Sequence, residues 1–328
     1  MTLKGNGIGR CAAQLYQGLV ERGHKVSVVH DGASLPAYLW FSTVRKPFLL
    51  PHGQDVYHAL SPVESLWLPE HKTVVSIHDI FPVLYPQFQG AGVGENRVKQ
   101  WCAREFFAHC LFKSSICHTI VCNSGLTEKQ YVDYIAAPYL RHTPIIYWGI
   151  SRDLYPVLAP SGRMKFGYLG QLDRRKRVDV LIQSFRQSRI KADLLIAGAG
   201  RDEAKLRELA AGDDRIKFLG FLPDTKLRLF YNSLTALVLP SYMEGWGLPA
   251  VEAMACGTPV AILADTVIPY EIRERCLQPM NLRHWFDALI DCAPPERGRH
   301  VDWAMEHTWD RCIDQYEMIY KGIKAGGD

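Results

Sequence analysis

Glu244 and Glu252 bracket the stretch EGWGLPAVE and are the residues of this chain best suited by type and spacing to ligand chemistry. They lie in the segment 240–260, PSYMEGWGLPAVEAMACGTPV, which follows an apolar run ending at Leu239. The pattern predicts a strand end, a glycine-containing loop and a helix start. Pro249 sits where a first-turn proline is tolerated, and Gly257 where the helix should stop. Gly245 and Gly247 let the backbone approach a ligand closely, while the helix start offers unpaired N–H groups and a partial positive charge. Phosphate is the natural guest of such a start. A carboxylate does not complement phosphate, but it accepts hydrogen bonds from the hydroxyls of a sugar or ribose. Taken singly, Glu252 need only complement the helix dipole and Glu244 only hydrate a loop. Together, in one loop beside phosphate donors, they describe a site for a sugar nucleotide.

The elements that must position this loop follow from the apolar periodicity. In the second half, runs at 165–169, 194–197, 216–219, 236–239 and 259–263 read as buried strands. Helical patterns at 178–188, 202–211, 224–232 and 249–256 separate them, and such alternation means a parallel sheet covered by helices. In the first half, Ile8, Ala12, Leu15 and Leu19 recur at helical spacing and Gly23 follows as a stop. Shorter runs rich in Val, Ile and aromatics at 25–30, 55–60, 73–78, 116–122 and 144–148 predict strands. Pro156, Pro160 and Gly162 break both periodicities and place a domain boundary near 151–162.

Composition sets the outer limits. A length of 328 residues suggests two domains, and 48% hydrophobic with 22% charged residues is ordinary globular composition. A net charge of +4 excludes a dominant nucleic-acid-type field. No apolar run has the length of a membrane span, and the N-terminus lacks a signal-peptide core. The 9 cysteines include no C-x-x-C pair, which argues against a disulfide framework and a zinc knuckle and for reduced thiols in the cytoplasm.

EGWGLPAVE resembles the Glu-x7-Glu signature of the retaining glycosyltransferases of glycosyltransferase family 4, which have the GT-B fold. GYLGQLDRRKRVDVLIQSF, LLIAGAG, IKFLGFLPDTKLRLFYNSLTALVLPS and MACGTPV follow that family's second domain in order, and GNGIGR, SIHDIFPVLYP and IVCNSGLTEKQ resemble its first. The resemblance spans about residues 5–270 and the C-terminal WDRCIDQYEMIY helix. It implies an α/β protein of two Rossmann-like parallel-sheet domains facing a cleft. Residues 1–150 would be the acceptor-side domain, 151–308 the nucleotide-sugar domain, and 309–328 a helix crossing back to the first domain.

The same resemblance implies roles at matching positions. Glu244 would contact the donor sugar hydroxyls as an electrostatic and positioning group. The backbone at Gly245, Trp246, Gly247 and Leu248 would meet the sugar and diphosphate, and Glu252 the ribose. Arg175 and Lys176 would neutralise the diphosphate as the leaving group builds charge. Gly7, Ile8 and Gly9 would form a loop against the diphosphate or acceptor, and His78 would reach the donor sugar. Gly198, Gly200, Phe221 and Leu222, at strand ends, would line the base pocket. The implied activity is transfer of a hexose such as mannose, with retention, from GDP-mannose or a UDP-sugar to a glycan or lipid-linked acceptor in polysaccharide or lipopolysaccharide assembly. It needs no metal and no cofactor; the sequence has no Asp-x-Asp motif and no tight His/carboxylate cluster.

Four departures stand out. Only residues 1–4 precede the GNGIGR stretch, so the family's first strand is expected to be missing or its start displaced; Gln171 stands where many members carry Arg; WGIS at 148–151 replaces an NGID-like junction; and ADTVIPYEI diverges after CGTPV. A non-catalytic GT-B-like binding or scaffold subunit is the first alternative. An NAD-dependent Rossmann dehydrogenase, suggested by KGNGIGR and Asp31, is the second, opposed by Arg10 at the third-glycine position. Segment 97–113 is basic and aromatic but spreads its charges around the helix. That favours a partly buried helix and leaves only weak, salt-sensitive contact with the cytoplasmic face of a membrane.

Overall fold

Strands that read as uninterrupted Val, Ile, Leu and Phe are buried on both faces, and the second half of the chain builds most of its sheet from them; the run at 216–219, expected to be buried, lies at the sheet edge with Lys217 and Leu219 exposed. A computed structural model describes residues 7–29, 50–85, 97–135, 143–157 and 162–326. Residues 1–6, residues 30–31, Pro86, residues 158–161 and residues 327–328, which figure in the sequence reading, lie outside the described residues. The chain divides into two units, Met1–Gly149 with Trp309–Asp328, and Ile150–Thr308.

In the first unit, β1 (Tyr57–Ala59), β2 (Thr73–Ile77) and β3 (Thr119–Cys122) form a parallel sheet in the order β1-β2-β3. Helices α1 (Gly7–Glu21), α2 (Phe81–Leu84), α3 (Arg97–Ser114) and α4 (Gly125–Ile135) belong to it. Val75, Ile77, Ile80, Leu111, Ile120, Cys122 and Tyr131 form its core. Helix α3 buries Cys110, Leu111 and Ser114 but leaves Val98, Trp101 and Phe112 exposed.

Two expected strands differ here. Residues 25–29 carry no ladder. Among the described residues they pair with no strand and line, together with β1, a cavity of about 880 Å³. At 144–148 there is a single bridge, Ile145 to Cys122, with Ile146 N–H donating to the Cys122 carbonyl at 2.9 Å.

The second unit holds β4 (Met164–Leu169), β5 (Ala192–Ala197), β6 (Ile216–Gly220), β7 (Ala236–Leu239) and β8 (Val260–Ile262). All pair in parallel, in the order β6-β5-β4-β7-β8. The crossover helices are α5 (Val178–Gln187), α6 (Glu203–Ala210), α7 (Asp224–Ser233) and α8 (Leu248–Ala255). Phe166, Phe185 and Phe286 pack edge-on in the core, the last from α10 (Leu282–Ala288); α9 (Tyr270–Arg273) and α11 (Val301–Met305) complete the unit. Ile150 N–H donates to the His307 carbonyl at 2.8 Å, which ties the start of this unit to its end.

The last helix, α12 (Trp309–Ala325), returns to the first unit. Its Glu317 lies 2.6 Å from His24, and its Asp314 pairs with Arg22 beside the end of α1. The expected crossover helix is therefore present. The whole is α/β, two Rossmann-like units with parallel sheets.

Candidate functional site

In the second unit the chain order reverses between β4 and β7, the first and fourth strands of its sheet. The carboxyl ends of strands at such a reversal diverge and leave a crevice, which is where open α/β sheets bind ligands. Three segments converge there: the turn after β4, the loop after β7 and the start of α8.

After β4, Asp173 caps a short 3₁₀ turn (Arg174–Lys176) by accepting from the Lys176 N–H. This aims Arg175 and Lys176 across to the loop after β7. The Arg175 guanidinium donates to the Met243 carbonyl at 3.0 Å. The Lys176 ammonium donates to both oxygens of Glu244, at 2.6 and 2.7 Å, and the Ser241 hydroxyl donates to Oε1 at 2.6 Å. Both charged side chains are nearly buried, 12% exposed for Lys176 and 10% for Glu244. Burial by itself would raise the Glu244 carboxyl, but the charges of Lys176 and Arg175 and the donated hydrogen bonds hold it below its ordinary value. Burial lowers the Lys176 ammonium, with Glu244 opposing. Glu244 is thus an ionised carboxylate in a dry place.

Gly247 precedes α8 with φ +85, a left-handed conformation that leads into the helix, and a Cβ there would press on Ile268 at 3.1 Å. Glu252 lies within α8, wholly buried, and accepts from the Tyr231 hydroxyl at 2.6 Å. Trp246 is buried against Trp303 and His307, so its ring packs into the unit's interior. Leu248 and Gly245 are half-buried. Gly198 and Gly200 follow β5, where a Cβ would fall 1.8 Å from the Gly170 carbonyl oxygen and 2.3 Å from that of Leu172. Their glycine identity is dictated by the backbone of the turn after β4. Phe221 is exposed and Leu222 half-buried beyond β6, while Gln171 is exposed.

Three residues that the sequence did not single out hold this arrangement together. Ser241 and Tyr231 each donate to one of the two glutamates. Arg177, in the left-handed region at φ 50, bonds the Pro240 carbonyl at 2.6 Å and the Ser241 carbonyl at 3.1 Å, and pairs with Asp265. The basic run RRKR signalled a cluster; only the fold divides it between Arg177, bonded to the backbone at Pro240 and Ser241, and Lys176, paired with Glu244.

The first-unit candidates lie in the other body. Gly7, Ile8 and Gly9 form the first turn of α1 rather than a loop: the buried face of Cys11, Ala12, Leu15 and Leu19 continues back through Gly9, while Ile8 is exposed. His78 follows β2 and is buried. The Trp148 Nε1–H donates to its Nδ1 at 3.0 Å, so the ring proton sits on Nε2 and faces the Leu60 carbonyl at 2.8 Å. Both ring nitrogens are therefore used within the protein. Burial lowers this His below its ordinary value. Nearby, His58 lies 2.8 Å from the Ser76 hydroxyl and 2.7 Å from that of Tyr320, and Ser76 lies 2.9 Å from the Tyr316 hydroxyl. Among the described residues, no group of three His, Cys, Asp or Glu is placed to hold a metal ion, and no helix is long and apolar enough to cross a membrane.

Residues 155–275 match the family described as Glycosyl transferases group 1. The chain is 29% identical to O-antigen chain mannosyltransferase B of Escherichia coli over 47% of this chain and 45% of that protein. It is 33% identical to a D-inositol 3-phosphate glycosyltransferase of Nocardiopsis dassonvillei over 54% of this chain and 47% of that protein. The chain thus spans about half the length of these curated relatives. Among solved structures, sucrose-phosphate synthase from Thermosynechococcus elongatus superposes with a TM-score of 0.76 at 19% identity, covering 98% of this chain and 94% of that one. Anabaena HepE in complex with UDP and glucose gives 0.70 at 17% identity, covering 98% of each. The fold is the one these GT-B proteins share.

Proposed function

We propose that the chain is a retaining, metal-independent glycosyltransferase of glycosyltransferase family 4. It moves a hexose from a nucleoside diphosphate sugar to a glycan or glycolipid acceptor. The observation that carries this reading is the buried, ionised Glu244 beside Lys176 and Arg175, at the strand-order reversal and next to the start of α8. A sugar nucleotide needs cations and helix N–H groups for its diphosphate and a carboxylate for its hydroxyls, and both sets stand side by side. Arg175, Lys176 and the α8 start take the charge that builds on the leaving diphosphate, and Glu244 fixes the sugar while that charge develops.

The group 1 match over 155–275 and the similarity to a mannosyltransferase support a hexose donor, GDP-mannose or a UDP-sugar. The similarity to an O-antigen enzyme supports an acceptor in polysaccharide or lipopolysaccharide assembly, with the chemistry on the cytoplasmic side of the membrane. The exposed Val98, Trp101 and Phe112 of α3 support weak peripheral contact with that surface.

A panel of GDP-, UDP- and ADP-sugars with their free nucleotides, read by thermal shift without added metal, tests the reading. A ligand at ~100 times its Kd stabilises by ~2.7 kcal/mol. A shift with one nucleotide class is expected and selects the donors for turnover assays. No shift with any of them would sink the reading in favour of a non-catalytic scaffold.

A further inference from the structure

The Lys176 ammonium and the Glu244 carboxylate, assigned above to two different parts of one ligand, are bonded to each other in this structure. We propose that this buried pair determines specificity for a molecule carrying a diphosphate and a hydroxylated sugar together, and disfavours the nucleoside diphosphate alone. The inference rests on the function proposed above.

Lys176 spends two N–H bonds on Glu244, and Ser241 adds a third donor to Oε1. A diphosphate that draws the ammonium away leaves Glu244 ionised, nearly buried and with Ser241 as its remaining donor in this trio. Uncompensated buried charge is strongly unfavourable. Hydroxyls of a sugar attached to the diphosphate replace the lost N–H donors, because a carboxylate accepts about four hydrogen bonds. A free sugar brings donors but no anion to hold the displaced ammonium. Each half of the ligand therefore makes room for the other. Once the sugar has left, Glu244 reclaims Lys176 and the diphosphate product loses its cation. No covalent step is involved; the pair exchanges partners.

Isothermal titration of the full chain with UDP, UDP-glucose, GDP and GDP-mannose tests this, using the wild type, Glu244→Gln, Lys176→Met and the double variant. For the accepted nucleotide, the wild type is expected to bind the sugar nucleotide ~10-fold tighter than the diphosphate. Glu244→Gln frees Lys176 and is expected to bind the diphosphate ~10-fold tighter than the wild type does, erasing that preference. The gain should vanish in the Lys176→Met background, as a double-mutant cycle for a coupled pair requires. Ser241→Ala provides a second route that keeps both charges. It leaves Glu244 more dependent on Lys176 and should weaken diphosphate binding ~3-fold.

Unchanged diphosphate affinity in Glu244→Gln overturns the proposal, as does a gain that survives without Lys176, which marks simple repulsion between carboxylate and phosphate. Absence of binding to the wild type by all four nucleotides, and by ADP and ADP-glucose added to the same titration, instead overturns the glycosyltransferase reading, and this inference falls with it.

Discussion

The two units bury polar groups in opposite ways. In the first, neutral groups close on one another: His58 with Ser76 and Tyr320, Ser76 with Tyr316, and His78 between Trp148 and the Leu60 carbonyl. In the second, charge takes part: Lys176 pairs with Glu244, and the Tyr231 hydroxyl donates to Glu252. A neutral network whose donors and acceptors are matched gains little from a ligand and acts as internal glue. An ion pair holds strong donors and acceptors in reserve, and a ligand of suitable charge can capture both partners. On the function proposed above, the contrast assigns structural work to the first network and recognition to the second, although histidine is the residue more often credited with chemistry.

The largest test of this contrast is Glu244→Ala. Loss of the carboxylate should lower kcat/KM for the accepted sugar nucleotide by ~10²–10³ or more while circular dichroism stays native. Near-normal turnover would remove Glu244 from the mechanism. His78→Gln is the matching test in the first unit. It should show mainly as lowered thermal stability, with the remaining folded protein turning over within ~10-fold of wild type, because both ring nitrogens already serve the fold. A loss as large as that of Glu244→Ala would break the comparison.

Acid should separate the units next. Burial drives His58 down to about 3 and lowers His78, so both rings stay neutral in the folded chain over a range in which the unfolded chain protonates them. Their stabilisation is full above about pH 6.5 and is lost as the pH falls towards the folded values, by at most about 1.4 kcal/mol per pH unit for each ring. The folded value of Glu244 is also lowered, but its contribution is lost only below the ordinary carboxylate range. Chemical denaturation followed between pH 7 and 5 should therefore weaken the first unit, through His58 and His78 together, more than the second, where burial also lowers the half-buried His300. The smallest effect compares two tyrosines. Tyr231→Phe removes a donor from a buried carboxylate and should cost ~1.5–3 kcal/mol, whereas Tyr316→Phe removes a partner from a hydroxyl and should cost ~0.5–1.5 kcal/mol. Urea unfolding of both variants measures the difference, and equal costs would blunt the distinction.

Legibility in the sequence follows the same division. The second sheet was readable because its inner parallel strands, buried on both faces, leave continuous apolar runs, and the α/β class follows from their alternation with helices. The run at 25–30 shows a limit: β-propensity describes a strand's surface and says nothing about whether a partner lies beside it, and among the described residues 25–29 pair with none. Glu244 and Glu252 were visible because they share one loop and helix. Arg175 and Lys176 came through family resemblance, and Ser241 had no signal beyond being a serine near the loop. The pairing of His58 and Ser76 with Tyr320 and Tyr316 joins residues more than two hundred positions apart, a distance over which local pattern carries no information. Trp246 shows the remaining gap: sequence placed it in the ligand loop, and packing turned its ring towards Trp303 and His307.

The return of α12 to the first unit has a consequence for the order in which the protein is made. The second unit is one continuous stretch, Ile150–Thr308, and can form as soon as it leaves the ribosome. The first unit is begun first and finished last. Tyr316 and Tyr320, which close the hydrogen bonds around His58 and Ser76, are synthesised after the whole of the intervening unit. At ~5–20 residues per second, the opening segment waits roughly ten to thirty-five seconds for its final helix. Throughout that interval the ring of His58 lacks its tyrosine partner, Tyr320, and Ser76 lacks Tyr316.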